Sequence, residues 1–263
     1  MDLDRAVAGR SPLHLADPRL KFVLAVGAIL AFALLPIGAF VALLIAWVTL
    51  TFASLIAGLG ALKLSRGAFV AAPFLLAALP LVFIRSGDPL GGFSVGPFEL
   101  TISGQGLREF ATIALKSWLS VQVALLLTFT TPFHDLVDAL RRLRLPLVMV
   151  GIISFMYRYL AVLGEEGSRM LRARASRSAV VGSGGGGSLA WRARTTGGMV
   201  GALFLRSYER SERIYAAMQA RGFEGTLRHL HGRGMTVSEW AVGLALAASL
   251  VVFELAAQLW LPR

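Results

Sequence analysis

The 263-residue sequence contains no cysteine, which excludes a disulfide framework, a thiolate metal site and a cysteine nucleophile. Charged residues are scarce as well, at 16 %, whereas hydrophobic residues make up 56 % and the mean hydropathy is +0.69. A soluble domain of this length is normally less apolar. These proportions predict an all-α integral membrane protein with several membrane-spanning helices.

The sequence also lacks the residue patterns of common active sites. It shows no pair of catalytic carboxylates, no Ser-His-Asp arrangement and no zinc-protease motif, so we predict that the chain is not an enzyme. His229 and His231 form a His-Leu-His sequence, but imidazoles at this spacing without a nearby carboxylate seldom close a metal site. We therefore predict a polar loop there, and no metal or cofactor bound by this chain.

Long apolar stretches are the most extensive feature of the sequence. About 20 apolar residues in a helix cross the ~30 Å hydrocarbon core of a bilayer. Residues 22–59 are uncharged and would form a helix of about 57 Å, so we predict two passes separated by a turn at 35–38, which contains Pro36 and Gly38. Three further passes are predicted, for five in all: 67–84, 107–129 and 237–261.

Two of these predicted passes contain unusual residues. The third contains Pro73 and Pro80, which neighbouring helices tolerate. The fourth contains Lys116, and an ionisable group at that depth is costly unless it faces the protein interior or water. We expect Lys116 to be a paired or snorkelling structural lysine rather than a functional one.

The net charge of +11 is distributed unevenly between the predicted loops. Lysine and arginine are concentrated in the N-terminal arm, after the second pass and between the fourth and fifth passes, and the positive-inside rule places these regions in the cytosol. We therefore predict a multi-pass protein of the cell membrane with a cytosolic N-terminus and no cleaved signal peptide. The predicted domains are four spans at 1–130, a cytosolic domain at 131–235 and a last span at 236–263. The outer loop at 85–106 is predicted to contain short strands at 93–95 and 98–100.

The predicted cytosolic domain contains several helical patterns. An amphipathic helix is predicted at 131–145, before a proline. Residues 147–163 are apolar except for Arg158, which predicts a re-entrant or interfacial helix. A charged amphipathic helix follows at 203–219. The glycine-rich residues 182–188 are predicted to be a flexible linker, because they lack the Gly-Lys-Ser/Thr ending of a phosphate loop.

Side-chain spacing describes the faces of these helices. Two oppositely charged pairs stand at the favourable i, i+4 spacing: Glu165 with Arg169, and Glu209 with Arg213. Larger apolar and aromatic side chains recur on one face of the last helix, and we expect them to pack between cytosolic helices: Phe204, Tyr208, Tyr215 and Met218.

Four sequence segments resemble those of one transporter family. They are Leu-Arg-Arg-Leu-Arg-Leu-Pro at 140–146, Met-Tyr-Arg-Tyr-Leu at 156–160, Glu-Glu-Gly-Ser-Arg-Met at 165–170, and the charged segment 204–213 that leads to Ala-Arg-Gly at 220–222. Together they resemble the transmembrane T component of energy-coupling factor (ECF) transporters, most closely the CbiQ-type subunit of cobalt and nickel importers. The likeness extends over nearly the whole chain in layout and is sharpest over 131–225.

This resemblance implies a non-catalytic scaffold that couples ATP hydrolysis in other subunits to movement of a substrate-binding subunit. The implied partners are two ABC ATPase subunits, which hold the ATP, a metal-specific substrate-binding membrane subunit and the lipid bilayer, but no nucleic acid. The implied substrate is cobalt or nickel. Two alternatives remain open, namely a T component that serves vitamin-binding subunits and a basic membrane-anchored scaffold that binds nucleic acid or lipid.

The family carries two Ala-Arg-Gly coupling motifs, one near the end of each long cytosolic helix. The resemblance places the second motif at Ala220, Arg221 and Gly222. It places the first at Ser176, Arg177 and Ser178, where serines replace alanine and glycine, with Arg174 one turn earlier as the alternative. Arginine suits this role because a guanidinium offers several fixed donors to a carboxylate of a partner protein.

Overall fold

Helices make up nearly all of the structure, which confirms the all-α fold class. The computed structural model describes residues 11–84, 89–95, 98–177, 188–225 and 236–260. Within these ranges the exception to the helical fold is one two-stranded hairpin. The helices, in chain order, are α1 (Pro12–Leu15), α2 (Pro18–Leu34), α3 (Phe40–Ile56), α4 (Ala61–Gly67), α5 (Ala72–Ala78), α6 (Leu81–Ile84), α7 (Gly104–Thr130), α8 (Phe133–Arg142), α9 (Leu147–Arg177), α10 (Leu189–Ala220) and α11 (Val237–Trp260).

The turn predicted within the first apolar stretch is present. The uncharged residues 22–59 are divided between α2 and α3, because α2 ends at Leu34 and α3 begins at Phe40. Pro36 has no N–H with which to continue α2. Each of the two helices contains 17 residues, at the lower end of the range of about 17–25 that crosses a bilayer.

The third predicted pass is not a single helix. From Ala61 to Ile84 the chain forms α4, a 3-10 segment (Ala68–Ala71), α5 and α6. Pro73 lies at the start of α5, and Pro80 lies between α5 and α6. At these positions no helical hydrogen bond requires the backbone N–H that proline lacks. The two prolines therefore divide this pass into short segments.

The strands predicted in the loop before α7 are confirmed. β1 (Pro89–Val95) pairs in antiparallel fashion with β2 (Phe98–Ser103), and Val95 stands opposite Phe98 next to the turn. Both strands extend further from the turn than the sequence predicted. β2 leads directly into α7, whose N-cap is Ser103.

Among the described residues, three helices are long and apolar enough to cross a membrane, judged by length and composition: Gly104–Thr130, Leu147–Arg177 and Val237–Leu259. The first and third coincide with predicted passes. The second includes residues 147–163, predicted to be a re-entrant or interfacial helix, which form the first half of α9, a continuous helix of 31 residues. No proline lies within 147–177 to interrupt it.

Helix α8 is shorter than the predicted helix at 131–145. It ends at Arg142, and Arg144 adopts a φ of +67°. The Leu145 N–H donates to the Leu140 carbonyl at 3.2 Å, as in a Schellman C-cap. The helix therefore ends by a left-handed cap before Pro146 is reached.

The described residues fall into two compact units. We call residues 11–139 and 236–260 the membrane bundle, and residues 140–225 the hairpin unit. The core of the membrane bundle lies where α2, α3, α7 and α11 meet, and many of its buried residues are alanines. Small residues bring these helices close, since a Cβ added to Gly243 of α11 would lie 2.3 Å from Cδ1 of Leu20 on α2.

Two lysines join α2 and α7 in opposite directions. Lys116 Nζ, on α7, donates to the carbonyls of Ala33 at 3.2 Å and Leu35 at 2.5 Å, at the end of α2. Lys21 Nζ, on α2, donates to the carbonyl of Thr130 at 3.0 Å, at the end of α7. Each helix therefore supplies a cation to the negative end of the other. We call this arrangement the lysine clasp, and it gives Lys116 a structural role.

One hydroxyl of α7 supports the same turn. The Gly38 N–H donates to Thr112 Oγ1 at 3.1 Å, one helical turn from Lys116, and the Thr112 residue is fully buried. The polar backbone of the turn after α2 is thus bonded by two side chains of one helix face. A lysine and a threonine four residues apart satisfy groups for which lipid offers no partner.

Replacing Lys116 with methionine tests the lysine clasp. The substitution preserves side-chain length but leaves the Ala33 and Leu35 carbonyls without the ammonium donor, so we expect the free energy of unfolding to fall by about 1–3 kcal/mol. Denaturant unfolding of the detergent-purified chain, followed by circular dichroism, measures this change.

Lys63→Met is the matched control for this experiment. The Lys63 ammonium lies 5.0 Å from the centre of the Phe129 ring, a contact worth about 0.5–1 kcal/mol at an exposed site. Equal stability losses in the two variants would contradict a structural role specific to Lys116.

Candidate functional site

The predicted coupling residues lie on α9, on α10 and in the turn after α10. The two helices pack against each other in antiparallel fashion. Arg174 Nη1 of α9 donates to Thr196 Oγ1 of α10 at 3.0 Å, while Arg206 Nη1 of α10 donates to Glu166 Oε1 of α9 at 3.1 Å. Residue numbers therefore fall along α10 as they rise along α9, and Arg177 and Arg221 lie towards opposite ends of the hairpin.

Glu166 is the charged link between the two helices. Its carboxylate accepts hydrogen bonds from Arg169 on its own helix and from Arg206 on α10. The hydrogen bond from Arg169, followed by the contribution of Arg206, holds the pKa of Glu166 below its ordinary value, so this carboxylate is ionised at neutral pH. Glu166 lies in the polar second half of α9, beyond the apolar residues 147–163.

This link corrects one of the predicted ion pairs. Arg169 pairs with Glu166, at i, i+3, rather than with Glu165 at i, i+4. Glu166 faces α10, where Arg206 also reaches it, whereas Glu165 is exposed. The predicted pair of Glu209 with Arg213 is present, although both side chains are exposed and 4.0 Å apart, so it contributes little to stability.

Arg174 and Arg177 have different surroundings. Arg174 is half-buried, donates to Thr196, and has its guanidinium carbon 5.6 Å from the centre of the Trp191 ring. Arg177 is the last residue of α9, is exposed, and makes no hydrogen bond or ion pair with any described residue. Arg174 thus links the two helices of the hairpin, whereas Arg177 does not.

Of the two serines in the first predicted motif, Ser176 lies at the end of α9. Ser176 Oγ donates to the Ala173 carbonyl at 3.0 Å, a bond within its own helix. Ser178 lies outside the described residues, as do His229, His231 and most of the predicted linker at 182–188. The last linker residue, Ser188, is instead the N-cap of α10, and its hydroxyl accepts a hydrogen bond from the Trp191 N–H at 3.3 Å.

The Ala220-Arg221-Gly222 motif forms the C-terminal cap of α10. The Gly222 N–H donates to the Gln219 carbonyl at 2.9 Å, and the Phe223 N–H donates to the Met218 carbonyl at 3.0 Å. These two bonds define a Schellman motif, in which the residue after the cap adopts the left-handed conformation. Gly222 has a φ of +78°, which explains why glycine follows the arginine.

Arg221 occupies the C-cap position itself. Ala220 is the last helical residue before it, and the chain turns away at Gly222. Arg221 is exposed at the point where α10 ends. Small residues on both sides leave its surroundings open, as a Cβ added to Gly222 would meet no atom within 4 Å.

The larger side chains of α10 behave differently along its length. Tyr215 and Met218 line an apolar cavity of about 330 Å³ shared with α9, as expected for packing between helices. Phe204 and Tyr208 do not line this cavity and are 66 % and 56 % exposed, although Tyr215, which does line it, is itself 55 % exposed. Phe223, just beyond the cap, also lines the cavity and anchors the turn that carries Arg221.

Comparison with known proteins assigns the family. The sequence profile of the cobalt transport protein family, CbiQ, matches residues 9–231. The chain belongs to the CbiQ family.

Individual relatives agree with this assignment. The energy-coupling factor transporter transmembrane protein EcfT of Brevibacillus brevis is 31 % identical over 263 residues, covering 94 % of this chain and 93 % of the relative. The cobalt transport protein CbiQ of Rhodobacter capsulatus is 29 % identical over 171 residues, covering 65 % of this chain and 67 % of the relative. The nickel permease LarQ of Lactiplantibacillus plantarum is 31 % identical over 141 residues, covering 54 % of this chain and 48 % of the relative. The resemblance to the T component of ECF transporters is confirmed.

The CbiQ-family hairpin also contains contacts that the sequence interpretation missed. α10 begins at Leu189, well before the predicted helix at 203–219, and the added turns supply Trp191 and Thr196, which hold Arg174. A signal was available in the sequence, because Ser188 is a preferred N-cap residue and no proline follows until after residue 220. The contact between Glu166 and Arg206 depends on tertiary structure and has no local signal.

Replacing Gly222 with alanine tests the cap. The φ of +78° disfavours a Cβ, so we expect the substitution to destabilise the end of α10 by about 1–2 kcal/mol. Gly197→Ala is the matched control, because Gly197 is helical, has open space around it and should be stabilised by up to about 1 kcal/mol. Denaturant unfolding of the full chain compares the two, and effects of the same sign would contradict the cap assignment.

Proposed function

We propose that this chain is the scaffold subunit of an ECF-type importer, which couples ATP hydrolysis in two ABC ATPase subunits to movement of a substrate-binding membrane subunit. The observation that carries the proposal is the placement of two exposed arginines, Arg177 and Arg221, at opposite ends of one helical hairpin. The names of the relatives, EcfT and CbiQ, support membership of a multisubunit transporter.

The separation of the two arginines favours two binding partners rather than one. Arg177 and Thr195 line the same cleft, so Arg177 lies beside the first turns of α10. From Thr196 to Arg221 the chain runs about 38 Å along the helix axis. A groove on one ATPase subunit that receives one end of the hairpin would not also reach the other end. Two ATPase subunits can receive one end each.

The chemistry of each end suits a transmitted force. A guanidinium presents fixed donors to a carboxylate and stays charged when it is buried in a partner's groove. At Arg221 the Schellman cap sets the direction of the chain and exposes the side chain at the end of α10. The movement of an ATPase subunit would then be transmitted to a rigid helix end.

We assign the first coupling role to Arg177 rather than to Arg174. Arg174 already donates to Thr196 and lies over Trp191, and withdrawing it would loosen the hairpin. Arg177 makes no hydrogen bond or ion pair with any described residue. In this assignment Ser176 and Ser178 replace the small residues of the family motif.

The proposed substrate is cobalt or nickel. The family profile is that of cobalt transport proteins, and the relatives include a cobalt transport protein and a nickel permease. The membrane bundle is multi-pass, and the positive-inside rule supports a cytosolic N-terminus and a cytosolic hairpin unit. This chain would hold neither ATP nor metal, which belong to the ATPase and substrate-binding subunits.

Charge reversal at Arg221 tests the proposal. We expect Arg221→Glu to abolish copurification of the ATPase subunits with the co-expressed chain, because a carboxylate facing a carboxylate costs several kcal/mol. Cobalt and nickel uptake by cells expressing all subunits should be lost as well. Arg213→Glu, an equal charge change on the exposed face of α10, should leave both intact, and normal uptake by Arg221→Glu would contradict the assignment.

Two alanine variants distinguish Arg177 from Arg174. Arg177→Ala should lower ATPase copurification without changing the unfolding midpoint, whereas Arg174→Ala should lower the unfolding midpoint through loss of its contacts with Thr196 and Trp191. The reverse pattern would transfer the coupling role to Arg174. Uptake of a vitamin rather than a metal ion, with suitable substrate-binding subunits, would replace the proposed substrate and retain the scaffold role.

A further inference from the structure

A cleft of about 640 Å³ lies between the second half of α9 and the N-terminal part of α10. Among the described residues that line it, Glu166 is the acidic one. The basic residues are four arginines, and we call this feature the arginine cleft: Arg169, Arg174, Arg177 and Arg206. The charge of the cleft therefore favours an anion.

Two carboxylates account for part of this charge. Glu166 accepts hydrogen bonds from Arg169 and Arg206. Glu165 is exposed, does not line the cleft and interacts electrostatically with Arg169. Four arginines against these two carboxylates leave a net charge of +2 at the cleft. This excess is available to a negatively charged ligand.

Contacts within the hairpin unit position the arginine side chains without enclosing them. Arg169 and Arg206 are held by the carboxylate that they share, yet their side chains are 57 % and 63 % exposed. Arg174 donates to Thr196, lies over Trp191, and forms no ion pair with a described residue. A guanidinium carries five N–H groups, so each of these arginines retains donors that a ligand in the cleft can reach.

The position of the cleft along α9 indicates the source of its ligand. Residues 147–163 are apolar apart from Arg158, and α9 is long and apolar enough to cross a membrane. Glu166 and Arg169 follow at about 5 and 9 Å beyond Leu163 along the helix axis. The headgroup layer of each leaflet is about 5–8 Å thick. With the apolar half of α9 in the hydrocarbon core, the near end of the cleft lies at headgroup depth, within reach of a long arginine side chain.

The apolar side chains around the cleft favour a lipid over a soluble anion. Trp191, Met170 and Met199 line its walls, and Trp191 is exposed. Leu171 and Val200, their neighbours in sequence, are exposed as well. Tryptophan is enriched where a protein meets the membrane surface, because its ring contacts apolar groups while its N–H contacts polar ones. Inorganic phosphate would leave these side chains uncovered, whereas a phospholipid covers them.

We propose that the arginine cleft binds the phosphate of an anionic phospholipid, held by Arg169, Arg174 and Arg206, with the acyl chains beside the apolar residues 147–163. A cluster of arginines that directly follows an apolar helix is typical of anionic-lipid recognition. Arg177, at the end of α9, is left for the ATPase contact. The lipid site goes beyond the proposed function and does not depend on it, because its contacts require no other subunit.

Competition between two lipids tests the site. The full chain, purified in detergent, is incubated with equal amounts of phosphatidylglycerol and phosphatidylcholine of the same acyl composition, and retained lipid is measured by native mass spectrometry. We expect preferential retention of phosphatidylglycerol, lowered about fivefold in Arg169→Gln, as for loss of one basic residue at an anionic lipid. This variant keeps the bond between Glu166 and Arg206 that joins the two helices.

Arg172→Gln is the matched control. Arg172 is exposed on the same helix, three residues from Arg169, and does not line the cleft, so this variant should retain phosphatidylglycerol like the original chain. An equal loss in the two variants would indicate a diffuse basic surface and overturn the proposal. Displacement of phosphatidylglycerol by inorganic phosphate would reassign the cleft to a soluble anion and overturn it too.

A substitution of opposite sign completes the test. Glu166→Gln preserves the shape of the side chain but removes the carboxylate that lines the cleft, so we expect retention of phosphatidylglycerol to rise. Glu165→Gln changes the charge beside Arg169 in the same direction and serves if Glu166→Gln fails to give a monodisperse helical protein. Unchanged retention, or equal retention of the two lipids by the original chain, would contradict a lipid site in the cleft.

Discussion

The membrane bundle depends on satisfying the backbone polar groups where α2 ends. In an apolar surrounding each unbonded carbonyl or N–H costs several kcal/mol, so a turn between two short helices is stable only when other side chains supply partners. Lys116 and Thr112 of α7 supply them for Ala33, Leu35 and Gly38. One helix face therefore determines where the turn lies and how α2 and α3 diverge from it.

The same constraint fixes the direction in which α2 and α7 pack. Lys21 reaches the last carbonyl of α7 while Lys116 reaches the end of α2, and both contacts form together only when the helices are antiparallel. A slip of one residue would separate both ammonium groups from their acceptors. The polar contacts thus specify register, and the small residues around them allow close approach without filling all of the space.

Local sequence signals predicted part of this structure, and the rest depends on tertiary contacts. The turn at Pro36, the hairpin at 93–100 and the helices α7 and α11 follow from proline, strand patterning and apolar length. The caps were predicted less well. Gly222 is an ordinary left-handed cap residue, but Arg144 reaches the same conformation without glycine, which no residue pattern indicates.

The candidate site also combines a feature that the local sequence predicts with one that depends on tertiary contacts. The motif at 220–222 was recognisable because it directly follows the charged segment 204–213 and the rest of the predicted helix at 203–219. The distinction between Arg174 and Arg177 was not, because it depends on Trp191 and Thr196, which a linker separates from both arginines. Whether an arginine side chain is free to bind a partner depends on its other contacts, and those contacts come from the tertiary structure.

The hairpin unit has little internal packing for its length. Val150 is the buried residue of α9, and α10, described over all its 32 residues, has none. Its exposed ion pairs are worth only about 0–1 kcal/mol each, and apolar residues such as Ile152 and Met156 are both 58 % exposed. Two long helices in this condition bury too little apolar surface to be stable as an isolated pair. Their stability must therefore come from surfaces outside the pair.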